Sequence, residues 1–375
     1  MRGIKKMLFI IRQMTIKIRG LRGIKRIVTI VSFLFLLPVF VFAEGERAFN
    51  AGDMIIEHVT DAHSWHVIGD FSIPLPVILY SKEKGLMIFS SSKLRHGESF
   101  EGVEKDNNLK NGFKEFGNKI VIANPDGTIN KEETAKLWDF SITKNTATVM
   151  LVGLLLVITF LSVSKAYSRS GKSAPKGLQS FMEPVILFIR DDVAIPSIGK
   201  EKYAKYMPYL LTLFFFILFL NVLGLVPILP GGANTMGNIS ITMTLAVMTF
   251  LITMASSNKA FWAHTLWMPN VPAVIKILIL TPIEILGVFL KPFTLIVRVF
   301  ANILAGHIIA LSLLGLIFII GNISHTAGYV VSPFSVAFTV FMTLLDVLVA
   351  FIQAYVFTFL SAMYFGMAQP EEHHH

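Results

Sequence analysis

From residue 146 to residue 368 long apolar runs alternate with short polar interruptions, and each run is long enough to cross a bilayer, which takes about 20 residues. The first predicted span is TATVMLVGLLLVITFLSVSK, 146–165. A polar loop at 166–206 follows, carrying Arg169, Lys172, Lys176, Arg190, Lys200, Lys202 and Lys205. The second span is predicted over 207–229 and the third over 238–257, joined by the uncharged turn PGGANTMG. Beyond SNKAFWAHTLWMPN the chain stays apolar from 272 to about 320, too long for one simple crossing. A break at Lys291-Pro292 divides it into an interfacial helix, 272–290, and a tilted helix, 293–320. The turn GNISHTAGYV leads to a last long helix at 332–367. The expected fold is an all-α integral membrane protein with about five crossings, including a long tilted helical hairpin, plus an N-terminal segment with some β-structure.

Upstream the pattern changes twice. Residues 27–43, IVTIVSFLFLLPVFVFA, form an apolar stretch behind a basic flank and end in small Ala43. This is the pattern of a signal peptide over 1–43, cleaved after Ala43; the competing reading is a retained anchor helix. Residues 44–145 are polar and are exported under either reading. Within them, 71–92 place apolar runs on both sides of Lys82-Glu83-Lys84-Gly85, which predicts a β-hairpin. His58, His63 and His66 stand close together as candidate metal ligands. A zinc site wants three or four ligands in a defined fold, and no second cluster follows in the segment, so no metal is expected.

Composition sharpens the class. Hydrophobic residues make up 54% of the 375, and charged ones only 15%, against roughly 25% in soluble proteins. The absence of cysteine excludes disulfides and thiol chemistry. The net charge of +9 is unevenly spread: residues 1–43 carry nine Lys and Arg and no acid, whereas 44–145 carry twelve against sixteen acids. No basic stripe with interleaved aromatics appears, so nucleic acid is not an expected partner. Basic residues gather at 166–206 and at Lys259, and the turns at 230–237 and 321–331 have none. The positive-inside rule makes the loops at 166–206 and 258–271 cytoplasmic. Five crossings then put residue 146 outside and the C-terminus inside, in agreement with export of the N-terminal segment. The terminal residues 371–375, EEHHH, are a tail or a tag.

Candidate chemistry lies in the membrane. Only Lys259, Lys276, Glu284, Lys291, Arg298 and Asp346 are charged between 207 and 370. Ionisable groups at membrane depth mark ion and proton routes or buried pairs. Arg298 and Asn302 fall about 40° apart on one helix face, flanked by Ala301 and Ala305, small residues that let another helix come close. His307 lies about 180° round from the arginine. Asp346 and Gln353, seven apart, share a face of the last helix. His307 is suited to proton relay by its reference pKa near 6.5. A structural ion pair between Arg298 and Asp346, and hydrogen bonding between helices by Asn302 and Gln353, are the competing readings.

These residues carry a resemblance. KPFTLIVRVFANILAGH (291–307) resembles the arginine helix of subunit a of F-type ATP synthases, and PIEIL (282–286) fits the same family. FIQAYVFTFLSAMYFGMA (351–368) is similar to the family's last helix, and NVLGLVPILPGGANTMGNISITMTLA (221–246) to its second and third spans. DAHSWHVIGDFSIPLPVILY (61–80) looks like the exported extension of some bacterial members. The resemblance implies a proton-conducting stator in the bacterial inner membrane, with a rotating ring of c subunits, b-type peripheral stalk subunits, lipid and protons as partners. It implies that Arg298 faces the passing ring carboxylate, that Asn302, His307, Asp346 and Gln353 belong to the periplasmic inlet, and that Glu284 belongs to the cytoplasmic outlet. One common bacterial arrangement has acid and histidine exchanged between positions 307 and 346. His307 and Asp346 are expected to bond directly or through water. No cofactor is implied, and no catalysis by the chain alone, since no HExxH, nucleophile motif or phosphate-cradling loop is present. The alternative is a secondary transporter, a class that often shows internal repeats, and none is visible between 146–256 and 257–370.

Overall fold

A computed structural model describes residues 52, 55, 59–68, 71–82, 85–94, 112–116, 119–123, 128–170, 177–226, 231–266 and 273–369. The expected signal segment 1–43, His58, Trp267 and the tail 371–375 lie outside the described residues.

Among the described residues, the N-terminal segment forms antiparallel strands in three small sheets: β1 (Ser64–Ile68) with β2 (Phe71–Pro74), β5 (Gly112–Phe116) with β6 (Lys119–Ala123), and β4 (Gly85–Ser90), β3 (Pro76–Ser81) and β7 (Trp138–Asp139) in that order. The expected hairpin is present, with Ile78 opposite Ile88 and Tyr80 opposite Leu86. Val77 and Leu79 alternate inward and bury with Leu94 and Ile120. His63 is buried, and its Nε2 lies 3.7 Å from the Asp139 carboxylate.

Burial works against ionised Asp139, but the neighbouring His63 imidazole and the Ser141 amide, which donates to Oδ1 at 2.9 Å, outweigh it and hold the carboxyl below its ordinary value. A depressed carboxylate pKa contributes stability that is complete above the unfolded value of about 3.9 and is lost as pH falls through the lower folded value. Protection of β3 from hydrogen exchange is therefore expected to drop on acidification below about pH 4. Asp139→Asn should lower that protection already at neutral pH and flatten the dependence. Identical profiles for the two chains would refute the assignment.

Among the described residues, five helices are long and apolar enough to span: α1 (Lys144–Ser170), α3 (Tyr203–Leu225), α4 (Ile239–Ser256), α5 (Thr281–Ile323) and α6 (His325–Ala368). The segment expected as a loop at 166–206 is largely helical. It contains α2 (Leu178–Phe188), a wider π turn at Ile189–Ala194 and a short helix at Ile195–Ile198. Met182, Val185, Ile189 and Val193 recur at helical spacing and pack into the main core. That core lies chiefly between this segment, α3 and α6, where Phe214 meets Phe351 edge-on at 5.6 Å and Tyr206 stacks on Phe365 at 4.8 Å.

Two boundaries differ from expectation. No break occurs at Lys291-Pro292, because α5 runs through Pro292 for 43 residues. Proline removes one backbone bond, which a packed membrane helix tolerates, and Val288, Leu295 and Val299 bury one continuous face across it. Nor is 321–330 an open turn. Ser324 alone is extended between α5 and α6, and its hydroxyl caps the Ala327 amide. The close return is possible because a Cβ on Gly328 would stand 2.8 Å from the Gly321 Cα. Ser335 Oγ donates to the Leu313 carbonyl across the hairpin. Each arm is about 65 Å long at 1.5 Å per residue, roughly twice the hydrocarbon thickness, so the hairpin must cross at a steep tilt.

The helix ends sort onto two sides. On one, Gln369 donates to Tyr206 at 2.8 Å and to the Ser256 carbonyl at 3.0 Å, and Asn258 N donates to the Ala368 carbonyl at 3.0 Å. On the other, Lys144 N donates to Ala62 O at 2.8 Å, Asn145 N to Asp61 Oδ1 at 3.0 Å, and Trp65 Nε1 to Gly231 O at 3.0 Å. The β-segment is thus tied both to the start of α1 and to the turn between α3 and α4.

Candidate functional site

The two arms of the hairpin also approach closely at Gly306. A Cβ there would lie 2.7 Å from Asp346 Oδ1, so the carboxylate of α6 rests against the bare backbone of α5. Asp346 and His307 line one cavity together with Asn221, Leu225, Ile303 and Ala350. His307 Nε2 points toward α3, 3.9 Å from where a Cβ on Gly224 would stand. The site therefore joins an acid, a titratable base and an amide from three helices.

Asn221 was not singled out from the sequence. It is buried, and neither Nδ2 nor Oδ1 has a hydrogen-bond partner among the described residues. A buried carboxamide left unpaired is costly, which makes it a natural partner for water in the adjoining cavity. The available signal was its place as the only carboxamide in 207–229. Gln353, two turns beyond Asp346, is also buried, with Oε1 unpaired among the described residues. It does not line this cavity.

A second cavity opens further toward the start of α5, lined by Val288, Lys291, Leu295, Thr249, Thr253 and Tyr364 among others. Thr249 shares a hydroxyl contact of 2.8 Å with Tyr209 and one of 3.5 Å with Ser361, forming a polar chain across α4, α3 and α6. Lys291 Nζ stands over the Tyr364 ring at 5.6 Å and within electrostatic reach of Glu284, seven residues back on α5. Glu284 lies in the first turn of α5 and does not itself line the cavity.

Arg298 occupies the stretch between the two cavities. It follows Leu295, the last α5 residue of one, by three positions and precedes Ile303, the first of the other, by five. Its side chain is half-buried, while Ala301, Asn302 and Ala305 are exposed. The small-residue face beside the cation is thus uncovered among the described residues. Asn302 and His307 are consequently not brought together, and His307 turns to the opposite side, as helical geometry requires.

A model of the ATP synthase A chain matches residues 147–366, more than half of the chain. The chain belongs to the ATP synthase A chain family. Its relatives include ATP synthase subunit a of Chloroherpeton thalassium, 44% identical over 243 residues that cover 63% of this chain and 69% of the relative. Subunit a of Myxococcus xanthus is 45% identical over 241 residues, 63% of this chain and 76% of the relative. ATP synthase subunit a 2 of Prosthecochloris aestuarii is 43% identical over 251 residues, 63% and 71% of the two chains. Residues 54–140 match a domain of unknown function, DUF8433. In this subunit a family member the two matched regions meet beside Lys144 and Asn145, where the backbone bonds to Ala62 and Asp61 hold them together.

Proposed function

We propose that this chain is the stator of the F-type ATP synthase membrane sector and forms two aqueous half-channels separated by Arg298. The observation that carries this reading is the position of Arg298 on α5 between two cavities that each hold polar and titratable side chains, Lys291 and Tyr364 in one, His307 and Asp346 in the other. A guanidinium keeps its proton under cellular conditions, so it attracts a passing carboxylate, repels free protons and cannot relay one. The exposed small face at Ala301, Asn302 and Ala305 supports close approach by a helix of the c-ring.

The cavity holding Asn221, His307 and Asp346 serves as the periplasmic inlet, with Asn302 and Gln353 continuing it toward the ring. The cavity at Lys291, Thr249 and Tyr364 leads to the cytoplasmic outlet, with Glu284 at its mouth. Two features support this direction: the β-segment borders the first cavity's side, and the lysine-rich segment before α3 borders the other. The chain is a multi-pass protein of the bacterial inner membrane, with residues 44–145 periplasmic after a signal at 1–43 and the C-terminus cytoplasmic. It conducts protons and catalyses nothing alone, while the complex, with its c-ring and b-type stalk, makes or hydrolyses ATP.

The test is passive proton flux in membrane vesicles stripped of the catalytic head. Flux is expected with this chain present and should vanish without it, while c-ring assembly is monitored by blotting. Proton flux that persists without the chain overturns the reading. So does coupled solute exchange by the isolated chain in liposomes, which is the behaviour of a transporter.

A further inference from the structure

The β4–β3–β7 sheet is apolar on both faces. Val77 and Leu79 fill its inner side, yet the outer side carries Tyr80, Leu86, Ile88, Trp138 and Phe140, each 43–65% exposed. Register places them together: Tyr80 pairs with both Leu86 and Trp138, and the Trp138 and Phe140 rings stack at 6.4 Å. A sheet with one face in water alternates apolar and polar residues, whereas a strand covered on both faces does not. In WDFSI (138–142) the polar Asp139 pairs with buried Leu79 and Ser141 accepts from the Ile78 amide, while Trp138 and Phe140 are exposed, the reverse of a water-facing strand. A contiguous apolar face of this kind marks a surface that something covers.

The sheet's position indicates what covers it. Phe140 N donates to Ile78 O at 2.9 Å and Ile142 N to Pro76 O at 3.1 Å, so the sheet continues to within two residues of Lys144, where the first span begins. The Ala62, Asp61 and Trp65 bonds fix the segment to the membrane domain at two separate points, α1 and the α3–α4 turn. The apolar face is therefore held beside the start of α1, whose Met150, Leu154 and Leu161 are themselves exposed apolar side chains. Tryptophan and tyrosine are the side chains that favour the headgroup boundary, and Leu86, Ile88 and Phe140 supply the apolar edge that enters it.

We propose that the outer face of the β4–β3–β7 sheet rests in the lipid leaflet beside the first span, making the N-terminal β-segment a membrane-seated platform. Its occupant is the boundary between headgroups and acyl chains. The chain has no cysteine, so Leu86→Cys and Ile88→Cys each create one site for a nitroxide label in a complex whose other subunits are cysteine-free. The labelled complex is reconstituted in phosphatidylcholine liposomes, and its collisions with oxygen and with a water-soluble nickel chelate are measured by electron paramagnetic resonance. Leu154→Cys serves as the lipid reference and Lys131→Cys as the aqueous one. Labels at 86 and 88 are expected to collide severalfold more with oxygen than with nickel, as at 154. Preference for nickel, as at 131, overturns the proposal by showing a face in water. Protection from both reagents overturns it in favour of a covering protein, whether another subunit or a second copy.

Discussion

Arg298→Ala is expected to abolish ATP-driven proton pumping in inverted vesicles while the assembled complex remains detectable by blotting. The persistence of the complex follows from energetics. A cation at the bilayer centre is unfavourable by about 2.5–3.5 kcal/mol, so its removal relieves a cost. Leu295 and Val299, which flank it, carry the packing of α5 and are untouched. The loss of pumping follows from position. Without a fixed charge between the cavities, nothing favours release of the ring proton and nothing opposes direct passage from one cavity to the other. Arg298→Lys should also fail to restore normal coupling, because an ammonium gives up its proton when desolvated and lacks the planar fork. Normal pumping by Arg298→Ala would reduce the residue to a structural cation.

Asp346→Asn carries the second large effect. A positioned proton-transfer group contributes about 10²–10⁴-fold to rate, so proton flux should fall by roughly that range. The amide nearly preserves shape, and Asp346 lies in a cavity wall, so assembly should be unaffected. A milder variant separates placement from chemistry. Gly306→Ala sets a methyl where Asp346 Oδ1 now stands 2.7 Å away, which forces the carboxylate aside but leaves it titratable. Flux in Gly306→Ala should fall between wild type and Asp346→Asn. If Asp346→Asn conducts normally in head-stripped vesicles, the acid holds the hairpin together and does not carry protons.

Much of this arrangement was legible in the sequence because membrane spans are read from length and hydropathy alone. The five crossings, the β-hairpin and the rotation of His307 away from Arg298 all follow from periodicity. The misjudged places share a physical cause. Pro292 and the Gly321–Gly328 stretch are breakers in isolation, but neighbouring helices override them, and both end up inside or beside continuous helix. In the 166–206 segment the charges dominate the local pattern and mask Met182, Val185, Ile189 and Val193 at helical spacing. Asn221 escaped notice because its importance lies in being unpaired next to His307 and Asp346, a relation between three helices that no local pattern encodes.

The hairpin joint, a single extended residue at Ser324, bears on how this chain can change over evolutionary time. Two rigid rods joined without slack behave like meshed gears, whose teeth keep phase only if the count between them is conserved. One residue inserted between Ser324 and Asp346 would turn the carboxylate by about 100° and carry it away from Gly306 and His307. Lengthening is tolerable only at the free ends of the rods, beyond the paired positions. The span from 306 to 346 is therefore expected to resist insertion and deletion in working descendants, even where its lipid-facing side chains drift freely.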